Sequence, residues 1–193
     1  MSATEDAVPV SPTPKYSFVV PIYKDGDLAA AFCEAFQEVF TQLLGETSLE
    51  AGVELIFVND GSPDNSFAHL VKLADTHPWV RVIGLSGNFG QQIAMTCGYA
   101  NARGEYVGYL NVDQQDAPDQ IPILLRAIES GEYDMVVGTR RRNRGRPLSR
   151  LTSVAFYWVF NLLTAHDGPV NEASLRIMSR RFTDAYNRLS EQS

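Results

Sequence analysis

The chain has few of the residues that build disulfides or metal clusters. It contains two cysteines and three histidines among 193 residues. Cys33 and Cys97 lie in apolar stretches of helical spacing, without a C-x-x-C pattern. They are therefore predicted to be small buried apolar side chains of a reducing compartment. The histidines have no metal-ligand spacing either, so the sequence excludes a disulfide scaffold and a Cys/His zinc site.

The chain also lacks a long apolar run and an excess of basic residues. No stretch approaches the ~18 apolar residues of a membrane span. Residues 1–15 are polar and proline-rich, without the apolar core of a signal peptide, and are predicted to be a disordered leader. The formal net charge of -7 argues against a general nucleic-acid binder. Residues 16–193 are long enough for one hydrophobic core and predict a single domain.

Strands and helices alternate along the predicted domain. Strands are expected at residues 16–21, 54–58, 80–85, 106–112 and 135–138, and helices at residues 28–44, 66–76, 91–102 and 118–130. This alternation is typical of an α/β fold with a mostly parallel, Rossmann-like sheet flanked by helices. Neither a G-x-G-x-x-G nor a Walker sequence is present, so a dinucleotide or P-loop site is not expected.

Polar loops follow three of these strands, at residues 23–27, 59–65 and 111–116. Parallel strands end at the same edge of a sheet, where open α/β sheets bind ligands, so the loops are expected to converge. Their oxygen-rich side chains suit a divalent cation and a phosphate group. Two alternatives stay open, because Asp116 also fits a helix cap and residues 59–64 fit an ordinary tight turn.

Five motifs occur in an order that is typical of one enzyme family. They are V-V-P-I-Y-K-D at 19–25, F-V-N-D-G-S-P-D-N-S at 57–66, L-S-G-N-F-G-Q-Q at 85–92, N-V-D-Q-Q-D-A-P at 111–118 and G-T-R at 138–140. The set resembles the family-2 inverting glycosyltransferases of GT-A fold. Within them it is most similar to the branch of polyprenyl-phosphate sugar synthases and bacterial polysaccharide glycosyltransferases.

The resemblance implies an activity and a set of site residues. A sugar would pass with inversion from a UDP-, GDP- or dTDP-linked donor to a polyprenyl phosphate or lipid-linked saccharide in cell-envelope polysaccharide or glycoconjugate synthesis. Asp113 would bind Mg²⁺ or Mn²⁺. The residues implied in nucleotide-sugar binding are Pro21, Tyr23, Asp25, Asp60, Asn88, Gln91 and Asn111. The residues implied at the reaction centre are Gln115, Asp116 and Arg176.

Two positions depart from the family pattern. Asn111 stands where the first Asp of the D-x-D motif is expected, and Gly87 stands where the family has Arg. Asp167 and Glu172 are the local candidates for a general base, and neither is assigned. A polyprenyl phosphate needs no base, because its second pKa of about 6 leaves it anionic at neutral pH. These departures also allow a catalytically impaired nucleotide-sugar-binding module. A nucleotidyltransferase would need a Gly-rich basic loop after the first strand, which is absent.

One segment suggests contact with a membrane. Six of the sixteen basic residues fall within residues 140–150: Arg140, Arg141, Arg142, Arg144, Arg146 and Arg150. They could form a solvated loop, a phosphate-handling loop or a surface for anionic lipids. Residues 148–163 follow as an aromatic amphipathic helix that packs on the core or lies on a membrane. We expect a cytoplasmic protein, peripheral at the inner face of the plasma membrane, without the C-terminal membrane helices usual in the branch. A homodimer is an open alternative.

Overall fold

The computed structural model describes residues 13–45, 48–113, 120–139 and 172–189. Its strands are β1 (Tyr16–Ile22), β2 (Val53–Asn59), β3 (Val80–Gly84), β4 (Tyr106–Tyr109), β5 (Met135–Thr139) and β6 (Glu172–Ser179). Its helices are α1 (Ala29–Leu44), α2 (Leu49–Gly52), α3 (Ser66–Thr76), α4 (Gln91–Asn101), α5 (Ile121–Glu129) and α6 (Arg180–Leu189). The predicted alternation of strands and helices is confirmed as far as β5. The sequence did not predict α2, β6 or α6.

The six strands form one sheet in the order β3-β2-β1-β4-β6-β5. β1 pairs in parallel with β2 and β4, and β2 pairs in parallel with β3. β6 runs antiparallel between β4 and β5. The chain therefore builds outward from β1 to β3 and then returns to the other side of β1 with β4. This reversal is a topological switch point, the place where ligands bind in open α/β sheets.

Helices cover both faces of the sheet. On one face α1 packs the rings of Phe32, Phe36 and Phe40 into an aromatic core, in which the Phe36 and Phe40 ring centroids are 4.6 Å apart. On the other face α4 packs against β1 at Gly98, where an added Cβ would lie 2.2 Å from Val19 Cγ1. Only glycine allows this close approach. It fixes α4, and with it the start of α4, beside the end of β1.

The bounds of some elements differ from those predicted. β4 ends at Tyr109 instead of residue 112, because its pairing with β1 stops at Val19. Lys15, at the end of the predicted leader, is held in the fold, since its N–H donates to Gly52 O at 2.9 Å. Cys33 is buried, as predicted, whereas Cys97 is only partly buried.

Several predictions fall outside the described residues. These are most of the leader, Gln115, Asp116, Asp167, the arginines of residues 140–150 and the helix expected at residues 148–163. Glu172 begins β6, but its side chain is not described. Among the helices that the structure describes, none has the length and apolar character needed to span a bilayer.

Candidate active site

A cleft of about 430 Å³ opens at the carboxyl edge of the sheet. Its lining residues come from the ends of β1, β2 and β4 and from the start of α4: Pro21, Tyr23, Asp25, Asp60, Asn88, Gly90, Gln91, Asn111, Val112 and Asp113. The predicted convergence of the three polar loops is therefore found. The cleft brings together every residue that was expected to bind the nucleotide sugar, together with the expected metal ligand.

The loop after β1 is fastened to the turn after β2. The N–H of Lys24 donates to Ser62 Oγ at 3.0 Å, and the N–H of Gly26 donates to Ser66 Oγ at 3.1 Å. A Cβ at Gly26 would lie 2.4 Å from Ser66 Cα, so the two segments touch through backbone. Lys24 adopts φ +65°, a left-handed conformation uncommon outside glycine. The neighbouring Tyr23, which lines the cleft, is thereby held on a braced loop.

Asp60 connects the turn after β2 to the loop before α4. It is buried, with 3% of its surface exposed. Its carboxylate accepts the N–H of Phe89 at 2.8 Å and the N–H of Gly90 at 2.9 Å. Hydrogen bonds to a charged acceptor are about twice as strong as neutral ones. Asp60 therefore shapes the cleft by holding this loop, in addition to lining the cleft itself.

The same two segments also meet through glycines. Gly61 has φ +59°, and a Cβ there would lie 2.2 Å from the carbonyl carbon of Gly87. Gly61 is therefore required both by its backbone conformation and by the close approach. By contrast, a Cβ at Gly87 would meet only ring atoms of Phe89, at 3.9 and 4.0 Å. The position where the family has Arg thus has room for a side chain.

Tyr109 contacts two residues that line the cleft, and it was not predicted as a site residue. Its hydroxyl donates to Asn111 Oδ1 at 2.5 Å and accepts from Gln91 Nε2. Gln91 Nε2 also lies 3.4 Å from Asn111 Oδ1. The one signal in the sequence is a tyrosine, able to hydrogen-bond, at the end of a strand that leads into the polar loop.

Arg176 lies on β6, opposite Tyr109 in the strand register. Its Cζ atom is 5.1 Å from the centroid of the Tyr109 ring, a cation–π distance. Arg176 is not among the residues that line the cleft described above. The structure thus brings Arg176 against Tyr109, whose hydroxyl contacts two residues of the cleft lining, whereas Gln115 and Asp116 lie outside the described residues.

The cleft offers oxygen ligands for a divalent cation. Asp113 supplies an exposed carboxylate and Asn111 supplies an amide. The described part of the chain has no group of three or more His, Cys, Asp or Glu residues that could hold a metal. Mg²⁺ is commonly held by one or two carboxylates together with substrate phosphates, and Mn²⁺ also prefers carboxylate oxygens. The residues present fit a cation shared between Asp113 and a bound diphosphate.

Comparison with known proteins identifies the family. The sequence model described as glycosyl transferase family 2 matches residues 17–181. The chain belongs to this family. It is 32% identical over 180 residues to the "uncharacterized glycosyltransferase YkcC" of Bacillus subtilis, covering 93% of the chain and 54% of that protein. The family predicted from the five motifs is confirmed.

Two relatives have more specific names. The chain is 41% identical over 138 residues to the undecaprenyl-phosphate 4-deoxy-4-formamido-L-arabinose transferase of Proteus mirabilis, covering 67% of the chain and 38% of the relative. It is 32% identical over 181 residues to the bactoprenol glucosyl transferase of Shigella phage SfV, covering 93% and 56%. The chain spans about half the length of most of the curated relatives it matches.

Solved structures confirm the GT-A fold. The mannosyltransferase PcManGT from Pyrobaculum calidifontis, in complex with GDP-Man and Mn²⁺, aligns with a TM-score of 0.63 at 18% identity, over 98% of this chain and 51% of its own. Glucosyl-3-phosphoglycerate synthase from Mycobacterium tuberculosis, with Mn²⁺, UDP and glucosyl-3-phosphoglycerate, aligns with a TM-score of 0.59 at 20% identity, over 87% and 57%. At these identities the likeness establishes the fold alone.

Proposed function

We propose that this chain binds a nucleoside-diphosphate sugar and transfers the sugar, with inversion, to a polyprenyl phosphate or a lipid-linked saccharide. The observation that carries the proposal is the cleft at the switch point of a family-2 sheet, lined by residues from the loops after β1, β2 and β4 and from the segment that leads into α4. Its volume of about 430 Å³ lies within the range of small-molecule sites.

The donor nucleotide would lie between the braced loops. Tyr23 is 39% exposed and offers an aromatic face to the base, and Pro21 adds an apolar wall. Asp25 can accept hydrogen bonds from ribose hydroxyls. Asp113 would hold Mg²⁺ or Mn²⁺ against the diphosphate, and the cation would supply positive charge where the leaving group becomes negative. Two structural neighbours were solved with Mn²⁺ together with a nucleotide or nucleotide sugar, which supports this assignment.

Transfer would be an in-line displacement at the anomeric carbon. The acceptor oxygen forms the new bond to that carbon on one face while the bond to the diphosphate oxygen breaks on the other. The electron pair of the broken bond stays on the leaving diphosphate. The Arg176 guanidinium lies over the ring of Tyr109, which contacts the cleft lining, and this positive group would stabilise the growing charge.

A lipid phosphate is the acceptor that the observations favour. Two relatives, at 41% and 32% identity, are named for undecaprenyl phosphate and for bactoprenol. A phosphate monoester is already anionic at neutral pH, so this acceptor would need no general base. The arginines of residues 140–150 would then hold the domain at the inner face of the plasma membrane, each contributing about 1 kcal/mol near anionic lipid.

The test is a transfer assay. The chain is incubated with a panel of UDP-, GDP- and dTDP-sugars, polyprenyl phosphate and Mn²⁺, and the products are identified by mass spectrometry. A glycosylated lipid phosphate formed from one donor supports the proposal. Donor binding without any product would instead identify a nucleotide-sugar-binding module. Release of pyrophosphate from a nucleoside triphosphate and a sugar phosphate would identify a nucleotidyltransferase.

The metal assignment has its own variant. Asp113→Ala is expected to abolish the increase in donor affinity that Mn²⁺ produces. The matched control is Asp75→Ala, which removes an exposed carboxylate of α3 that does not line the cleft. If activity resists both EDTA and Asp113→Ala, the metal assignment is wrong.

Membrane contact is tested separately by vesicle sedimentation. Replacing Arg141, Arg142 and Arg144 with Ser is expected to weaken salt-sensitive binding to anionic vesicles and to leave nucleotide affinity unchanged. The reverse result, lost nucleotide affinity with retained vesicle binding, would make these arginines a cover for the donor diphosphate. No change in either measurement would leave them as a solvated loop.

A further inference from the structure

Tyr109 touches three groups that belong to different parts of the site. It is the last residue of β4 and is 1% exposed, with its ring in the apolar cluster under α4. Its hydroxyl contacts Gln91 at the start of α4 and Asn111 in the loop after β4. Its ring lies under the Arg176 guanidinium of β6. One buried side chain therefore contacts two residues of the cleft lining and the guanidinium of Arg176.

The hydroxyl fixes the orientation of both amides. It accepts from Gln91 Nε2 and donates to Asn111 Oδ1, so it uses its hydrogen and one acceptor position. In each amide the oxygen and the nitrogen lie on opposite sides of the group. Gln91 Oε1 and Asn111 Nδ2 are therefore turned away from Tyr109. The side chains of both cleft-lining residues are thus held by the Tyr109 hydroxyl.

We infer that Tyr109 is a positioning residue for the donor nucleotide, acting through Gln91 and Asn111. The inference rests on the proposed function, because it needs a nucleoside diphosphate in the cleft. The ring also supports Arg176, and an aromatic ring without the hydroxyl keeps that support. The hydroxyl and the ring can therefore be tested separately.

The test variant is Tyr109→Phe, which keeps the ring and removes only the hydroxyl. The matched control is Tyr99→Phe on α4, because the Tyr99 hydroxyl is buried and has no hydrogen-bond partner among the described residues. UDP, GDP and dTDP are each titrated calorimetrically in the presence of Mn²⁺. For the nucleotide that the wild type binds most tightly, Tyr109→Phe is expected to weaken binding about five- to tenfold, the effect of one or two lost hydrogen bonds. Tyr99→Phe is expected to change it by less than about twofold.

A double-mutant cycle shows whether Tyr109 acts through Gln91. Gln91 is exposed at the start of α4, so Gln91→Met is expected to fold normally and to weaken nucleotide binding by itself. If the two residues act as a unit, the double variant binds no more weakly than the weaker single variant. If the fold-changes in nucleotide affinity of the two single variants multiply in the double variant, Tyr109 does not act through Gln91.

The possible results separate the inference from the proposed function. If the wild type binds none of the three nucleotides, both are wrong. If the wild type binds one of them and Tyr109→Phe binds it equally well, the inference alone is wrong. A lower melting temperature with unchanged affinity also overturns the inference, because it shows that the hydroxyl only stabilises the fold.

Discussion

Replacing Asp60 should affect stability and nucleotide affinity together. Its carboxylate accepts two backbone N–H groups, from Phe89 at 2.8 Å and Gly90 at 2.9 Å, in a site where Asp60 is only 3% exposed. A hydrogen bond to a charged group contributes about 1.5–3 kcal/mol, and a buried donor left unpaired costs a similar amount. We therefore expect Asp60→Ala to lower the free energy of unfolding by about 3 kcal/mol.

Asp60→Asn gives the intermediate case. The amide keeps one oxygen for one of the two N–H groups, but its own NH₂ group faces the other donor. We expect a loss of about 1–2 kcal/mol, roughly that of one hydrogen bond. Asp75→Ala, an exposed carboxylate of α3, is the matched control and should change stability by no more than about 0.5 kcal/mol. Urea unfolding at pH 7 measures all three variants.

The same variants are titrated with nucleoside diphosphate and Mn²⁺. Because the loop held by Asp60 carries Asn88 and Gln91 into the cleft, Asp60→Ala should also weaken binding by about 1–3 kcal/mol. Weaker binding with unchanged stability would mean that Asp60 contacts the nucleotide directly and does not brace the loop. If neither quantity changes, the role assigned to Asp60 is refuted.

Four further substitutions test other parts of the structure. Gly87→Arg should fold normally, since a Cβ there meets only Phe89 at 3.9–4.0 Å, and calorimetry should show tighter, salt-sensitive diphosphate binding. Gly61→Ala should lower the free energy of unfolding by at least about 1 kcal/mol, because φ is +59° and the new Cβ would lie 2.2 Å from Gly87. Asn111→Asp should tighten Mn²⁺ in titrations, because a second anionic oxygen is added. Burial acts to raise the pKa of Glu54, but hydrogen bonds from serine and arginine groups outweigh it and hold that pKa below the ordinary 4.5. The stabilisation from these contacts is present above the ordinary pKa and is lost as pH falls through the folded-state pKa. Glu54→Gln should therefore flatten the acid limb of a curve of stability against pH.

The cleft could be predicted because it depends on local patterns and one general rule. Buried apolar runs predicted β1, β2 and β4, and each was followed by polar residues. Parallel strands then place those residues at one edge without any further information. The prediction succeeded because each polar loop directly follows its own strand in the sequence.

β6 could not be predicted in the same way. It lies between β4 and β5 in the sheet and pairs antiparallel with both. In the sequence, however, it is separated from both of these strands. Its local pattern is brief: Leu175 and Ile177 are buried and Arg176 between them is half-buried. An alternation over three residues does not distinguish a strand from a loop. Only the pairing with Tyr109 and its neighbours explains why Arg176 lies beside the cleft.

The hydrogen bonds that hold the cleft loops also could not be predicted from the sequence, for a different reason. Asp60 was predicted as a ligand contact, yet its hydrogen-bond partners are backbone amides 29 and 30 residues away. Backbone N–H groups are present at almost every position, so no residue type marks them. Tyr109 was not predicted as a site residue because a tyrosine inside a buried strand is typical of core packing.

The two departures from the family pattern can be understood together from these contacts. At position 111 a carboxylate is replaced by a neutral amide, and its oxygen accepts a hydrogen bond from Tyr109. At position 87 a guanidinium is replaced by glycine, next to the close approach of Gly61. One negative and one positive charge are thus missing from neighbouring segments of the site, so the net charge offered to a cation–diphosphate pair is the same as in the family pattern. The two changes therefore leave the sum of the formal charges at these positions unchanged, and the neutral amide at position 111 does not by itself imply an inactive protein.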